Sequence, residues 1–195
     1  MPEKDEPRFD ALRELGTIGS GHAATALATL VRAQIVIDVP CASLVRLADL
    51  SADIGFAADD QIVVVSFNVM GDLTGKALMV MDSDSARRHR GRLGAEARSS
   101  ESSLSETGSI AMTAYLNALS ELLGAMLIIS APRYNAGASL DTINAAALEY
   151  RDPDPVLVAV TVQYHFEEDS HTSGHFVFLP DPPALRSILA ALQLD

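Results

Sequence analysis

The chain has 195 residues, 48% of them hydrophobic, and carries 26 acidic against 14 basic side chains for a formal charge of −12. That charge argues against nucleic acid and anionic membrane as partners, because phosphate surfaces repel it. No run approaches the about 18 apolar residues of a spanning helix, the charged start "MPEKDEPRFD" lacks a signal-peptide apolar core, and the single cysteine, Cys41, allows no internal disulfide; a soluble cytoplasmic protein with one core is expected.

In chain order, residues 9–32 read as a helix, with Asp10 as an early acid and apolar residues at Phe9, Leu12, Leu15, Leu27, Leu30 and Val31. "QIVIDVP" reads as a strand, and "QIVVVSFNVMGDLTGKALMVMD" as two strands joined through "GDLTG". "SDSARRHRGRL" reads as a short helix, followed by a polar linker at 94–101. The order then recurs: a helix over 102–123, a strand at "AMLIISAP", a short helix over 139–149, a strand pair at "PVLVAVTVQYHF" and "GHFVFLP", and a closing helix at "PALRSILAAL" with Pro183 in its first turn.

The recurrence is also one of residues. Asp10 and Ser102, Glu14 and Glu106, Gly16 and Gly108, Thr17 and Ser109, and Pro40 and Pro132 are each 92 positions apart. Each half reads D/S-x3-E-x2-T/S-x22-P, so the chain is a tandem duplication folded as one pseudo-twofold domain. The first copy spans about 9–93 and the second about 101–195. The fold class expected is α+β, helix plus mainly antiparallel strands in each copy.

The stretch "ELGTIGSGHAATAL" holds Gly16, Gly19 and Gly21, which raises a nucleotide-binding loop. Such a loop follows a strand. Here the preceding residues are helical and charged, and only Gly108 persists in the second copy. What the duplication keeps is a Glu with a small hydroxyl three residues on, which share a helix face. Glu14 with Thr17, and Glu106 with Ser109, are therefore the candidate functional pairs; the structural alternative is a capping box with close helix packing at Gly16. His22 reads as a core or edge residue.

The twice-repeated motif resembles that of the CheC-type chemotaxis phosphatases, a family that includes CheX and FliY. "ELGTIGSGHAATAL" is similar to their first active-site helix and "SLSETGSIAMTAYLNALSELLG" to their second. The resemblance implies a protein that binds the phosphorylated response regulator CheY and promotes hydrolysis of its aspartyl phosphate. It implies docking of Glu14 and Glu106 on the regulator, with Asp10 and Ser102 beside them, no cofactor of its own, and Mg²⁺ carried by the regulator. It implies CheD, a deamidase, as a second partner, met near Asp141 in "AGASLDTINAAALEY". The family's water-orienting Asn is replaced at both sites, by Thr17 and Ser109. A hydroxyl is shorter than a carboxamide, so activity should be weakened. Thr17, whose β-branch restricts its rotamers, is the better candidate. The other reading that this loss leaves open is a non-catalytic module that sequesters CheY or controls CheD.

Two further clusters invite a role. His165, Glu167, Glu168, Asp169, His171 and His175 mix metal-ligand types, but they lie between two strands and are expected to form a polar hairpin loop. Arg87, Arg88, Arg90, Arg92 and Arg98 read as a solvated helix face and linker, or as a docking patch for an acidic partner. Cys41 is expected to be a small buried hydrophobe.

Overall fold

The computed structural model describes residues 6–93, 99–146 and 155–194. The first half runs α1 (Glu6–Val31), β1 (Ile35–Ile37), β2 (Cys41–Arg46), a 3₁₀ turn (Leu47–Asp49) into α2 (Leu50–Asp53), β3 (Gln61–Gly71), β4 (Gly75–Asp82) and α3 (Ser83–Arg92). The second runs α4 (Ser100–Leu123), β5 (Leu127–Ile129), β6 (Arg133–Ala138), α5 (Ser139–Ala146), β7 (Val156–Phe166), β8 (Asp169–Pro180) and α6 (Pro182–Ala191). The offset of 92 holds from β1 to β5 and from β2 to β6; it becomes 95 from β3 to β7 and 99 from α3 to α6. The duplication is therefore structural, and β8, with 12 residues against 8 in β4, carries the last change of offset.

The strands form one antiparallel sheet in the order β1-β7-β8-β4-β3-β5, with β2 also on β7 and β6 also on β3. Each half's short strands pair with the long strand of the other half. Cys41 of β2 faces Thr161, and its equivalent Arg133 of β6 faces Ser66, the equivalent of Thr161. The two hairpins meet at the centre, β4 against β8, from Gly75↔Pro180 to Val80↔His175.

The sheet is covered on both faces, which is why its central strands read as near-continuous apolar runs. Alternation sorts the residues of β3: Val63, Val65, Phe67 and Val69 join a core with α1, α4, α3 and α6, whereas Ile62 and Val64 join a second core under α2 and α5. Helix ends follow local chemistry. The Asp82 carboxylate accepts from the Asp84 and Ser85 amides at 2.9 and 2.7 Å, capping α3. Gly124, at φ 60°, closes α4 in the left-handed conformation.

Several expectations change. β2 and β6 were not expected. The polar hairpin loop shrinks to a turn at Glu167 and Glu168, so His165 lies in β7 and Asp169, His171 and His175 in β8. Cys41 is exposed rather than buried: it opens β2 with the opposite facing to Ala42, which enters the core. His22 is exposed, on the outer side of α1. The helix expected over 139–149 is seen to Ala146, and 147–149 lie outside the described residues, as does Arg98.

Of the other four arginines, three tie α3 to neighbouring elements and Arg87 stands on its solvated face. Arg87 pairs with Asp84. Arg88 donates to Thr172 Oγ1 at 2.9 Å and to the His171 carbonyl at 2.6 Å, tying α3 to β8. Arg90 donates to Ser100, and Arg92 lies 4.4 Å over the Phe166 ring. Beside it, His89 is buried edge-on to Phe166 at 5.5 Å between ring centres. Burial, and then the charge of Arg92, push its pKa down to about 4.

Candidate functional site

The two long helices α1 and α4 lie on one face of the sheet and pack on each other. Their inward residues are the apolar ones, including Leu12, Leu15 and Leu27 of α1 and Leu104, Met112 and Leu119 of α4. The outward residues are the motif. Glu14, Thr17 and Glu106 are exposed and Ser109 is half-buried. Both pairs sit inside their helices, Glu14 eight residues after the first residue of α1 and Glu106 six after that of α4. This removes the capping-box alternative, which needs the pair at a helix start.

The glycines belong to the packing under this surface. A Cβ on Gly16 would meet Pro40 Cβ and Val160 Cγ1 at 2.9 Å. A Cβ on Gly108 would meet Val65 Cγ1 at 3.0 Å, the equivalent valine of the other half. Gly16 and Pro40, two fixed points of the motif, are thus in contact, and the motif's glycine seats the helix on the sheet. Gly19 admits the ring of Tyr115, whose atoms would stand 2.8 Å from an added Cβ, whereas nothing lies within 4 Å of one on Gly21. Alanine at these two sites should act in opposite directions. Gly19→Ala is expected to destabilise by about 1–3 kcal/mol through overpacking. Gly21→Ala should stabilise by about 0.5–1 kcal/mol, the helix preference for alanine. Urea midpoints of the two variants check this.

The motif hydroxyls both turn inward. Thr17 Oγ1 donates to the Arg13 carbonyl at 3.1 Å, and Ser109 Oγ to the Ser105 carbonyl at 2.7 Å. Each oxygen keeps its lone pairs, so each can accept a hydrogen bond while its own proton is committed. Asp10 forms an ion pair with Arg13 one turn before Thr17. Its equivalent, Ser102, is half-buried, and its backbone amide donates to the Ser99 hydroxyl at 3.3 Å at the start of α4. No hydrogen bond or ion pair among the described residues joins the first motif to the second, so the chain presents two patches.

Asp141 lies apart from both. It is exposed in the first turn of α5, in the layer on the opposite face of the sheet. Among the described residues, no group of three or more His, Cys, Asp or Glu is arranged to hold a metal ion. The Asp169 carboxylate instead accepts from Thr172 at 2.6 Å, and this bond holds its pKa below the usual range. Arg13 was missed in the sequence reading; its signal was a cation four residues before Thr17.

No helix among the described residues is long and apolar enough to cross a membrane. No protein-family model matches the chain. Individual proteins do. It is 29% identical over 198 aligned positions to the CheY-P phosphatase CheC of Bacillus subtilis, covering 96% of this chain and 94% of that one. It is 26% identical to the flagellar motor switch phosphatase FliY of B. subtilis, over 83% of this chain but only 39% of that protein's length. Among solved structures, Thermotoga maritima FliY superposes with a TM-score of 0.76 over 99% of this chain and 97% of its own, at 21% identity. A chain of the CheX–CheY–BeF3–Mg²⁺ complex from Borrelia burgdorferi gives a TM-score of 0.55 over 86% of this chain and 95% of its own, at 15% identity. With its duplicated motif on paired helices and its antiparallel sheet, the chain is similar to CheC and FliY proteins along nearly its whole length.

Proposed function

We propose that the protein binds a phosphorylated CheY-type response regulator and promotes hydrolysis of its aspartyl phosphate. The observation that carries the reading is the duplicated pair itself: an exposed Glu with a hydroxyl one turn on, displayed on the outer face of two helices whose inner faces are fixed by the core. Each pair is a helical surface that offers an exposed carboxylate and a hydroxyl to a partner. It suits insertion into the active site of a partner that brings its own phosphoryl group and Mg²⁺. Glu14 and Glu106 would dock through a cation of the regulator. Thr17, and more weakly Ser109, would accept a hydrogen bond from the attacking water. Phosphoryl transfer depends mainly on such positioning, so a rigid helix is an adequate platform. A role for CheD belongs to the same proposal. Asp141 on α5 would serve it on the opposite face, leaving both motif patches open to the regulator.

The inward hydroxyls favour a second reading, a binding module that captures the regulator without hydrolysing it. One experiment separates the two. Loss of ³²P from labelled cognate regulator should be faster with the protein than without, and Thr17→Ala should lower the acceleration about tenfold. An unchanged phosphate lifetime with stable complex formation would select the binding module.

A further inference from the structure

We infer that Arg13 is a catalytic residue of the first motif, donating to the phosphoryl oxygens of the bound regulator, so that the Glu14–Thr17 patch is the working half of the duplication. This rests on the phosphatase reading above. In that reaction water adds to phosphorus and the P–O bond to the aspartyl carboxylate breaks. Inorganic phosphate and the free carboxylate leave, and the water's protons pass to phosphate and solvent. Negative charge is spread over the phosphoryl oxygens in the transition state, and donors aimed there speed the step. Glu14 is an anion, and Thr17 has its one proton on the Arg13 carbonyl. The pair therefore offers lone pairs to the water but nothing to the phosphoryl oxygens.

Arg13 supplies what is missing. It stands four residues before Thr17, on the same helix face, with its side chain 38% exposed. Its ion pair with Asp10 orients the guanidinium while occupying only part of its five donors. The second motif has no counterpart: the equivalents of Asp10 and Arg13 are Ser102 and Ser105, and α4 carries no Lys or Arg from Ser100 to Leu123. In a chain of charge −12, a cation set beside one motif and absent from the other separates two otherwise matched sites.

The test is single-turnover loss of ³²P from the regulator at saturating protein, for the native chain, Arg13→Ala and Arg13→Lys. Arg13→Ala should slow the saturated rate about 10- to 100-fold, at or below the lower end of what one buried donor supplies, because this side chain is partly exposed. The half-saturating concentration should move less than about threefold, because the contact strengthens only in the transition state. Arg13→Lys should recover part of the rate. A saturated rate in Arg13→Ala equal to the native one overturns the inference while leaving the phosphatase reading intact. A native chain that leaves the phosphate lifetime unchanged overturns both.

Discussion

Lowering the pH from 6.5 to 4 is expected to remove roughly 3 kcal/mol of unfolding free energy through His89 alone. Burial holds this imidazole neutral, with its pKa pushed down to about 4 from an ordinary 6.5. The unfolded chain binds a proton there across that window and the folded chain does not. Stability is therefore complete above about 6.5, falls with pH through the window, and loses nothing further from this group below about 4. His175 acts in the same direction, since burial lowers it to about 4 against the opposing charge of Asp38. The duplication suggests the variant. With the offset of 99 between α3 and α6, the equivalent of His89 is Ile188, which is buried in the same core. His89→Ile should resemble the parent at pH 7.5 and melt about 5–10 °C above it at pH 4.5. Parallel melting-temperature profiles for the two proteins would show that His89 does not carry the acid sensitivity.

Thr17→Asn is expected to raise the dephosphorylation rate about 10- to 100-fold. The reasoning is geometric. A carboxamide extends further from the helix than the threonine hydroxyl and carries an acceptor and a donor on one plane. The present hydroxyl spends its proton on the Arg13 carbonyl. A shortfall of about 1 Å in reach at a reacting centre can cost on the order of 100-fold. Thr17 is exposed, so the larger side chain meets no packing conflict. Ser109→Asn should give a smaller gain, because Ser109 is half-buried and no arginine stands one turn before it. The assay is ³²P loss from labelled regulator with each single variant and with both. A Thr17→Asn protein no faster than the native one would mean that the hydroxyl already does what the carboxamide would do.

Much of this architecture was legible in the residues. The motif helices follow from apolar spacing, the two hairpins from long apolar runs broken at "GDLTG" and at a polar stretch after Phe166 (whose turn is shorter than the loop expected), and the dyad from paired Glu, Gly and Pro at one offset. β2 and β6 were not legible. "CASLVR" and "RYNAGA" have weak alternation, and each becomes a strand through hydrogen bonds to β7 or β3 in the other half of the chain, more than 60 residues away. Local pattern does not carry such partners. The outward display of Glu14 and Thr17 was readable from i, i+3 spacing. The inward turn of both hydroxyls and the Asp10–Arg13 pair were not, because rotamers are chosen by neighbours rather than by spacing.

The crossed pairing of β1 and β2 with β7, and of β5 and β6 with β3, has a consequence for descent. A chain consisting of one repeat would have its short strands and the flank of its long strand without partners, presenting unpaired edges that seek another chain. Two such chains would satisfy each other by exchanging their short strands about a true twofold axis. Joining the copies through 94–98 turns that exchange into an intramolecular event. It also frees each copy to drift alone, so that one could keep an arginine beside its acid while the other settled for serine.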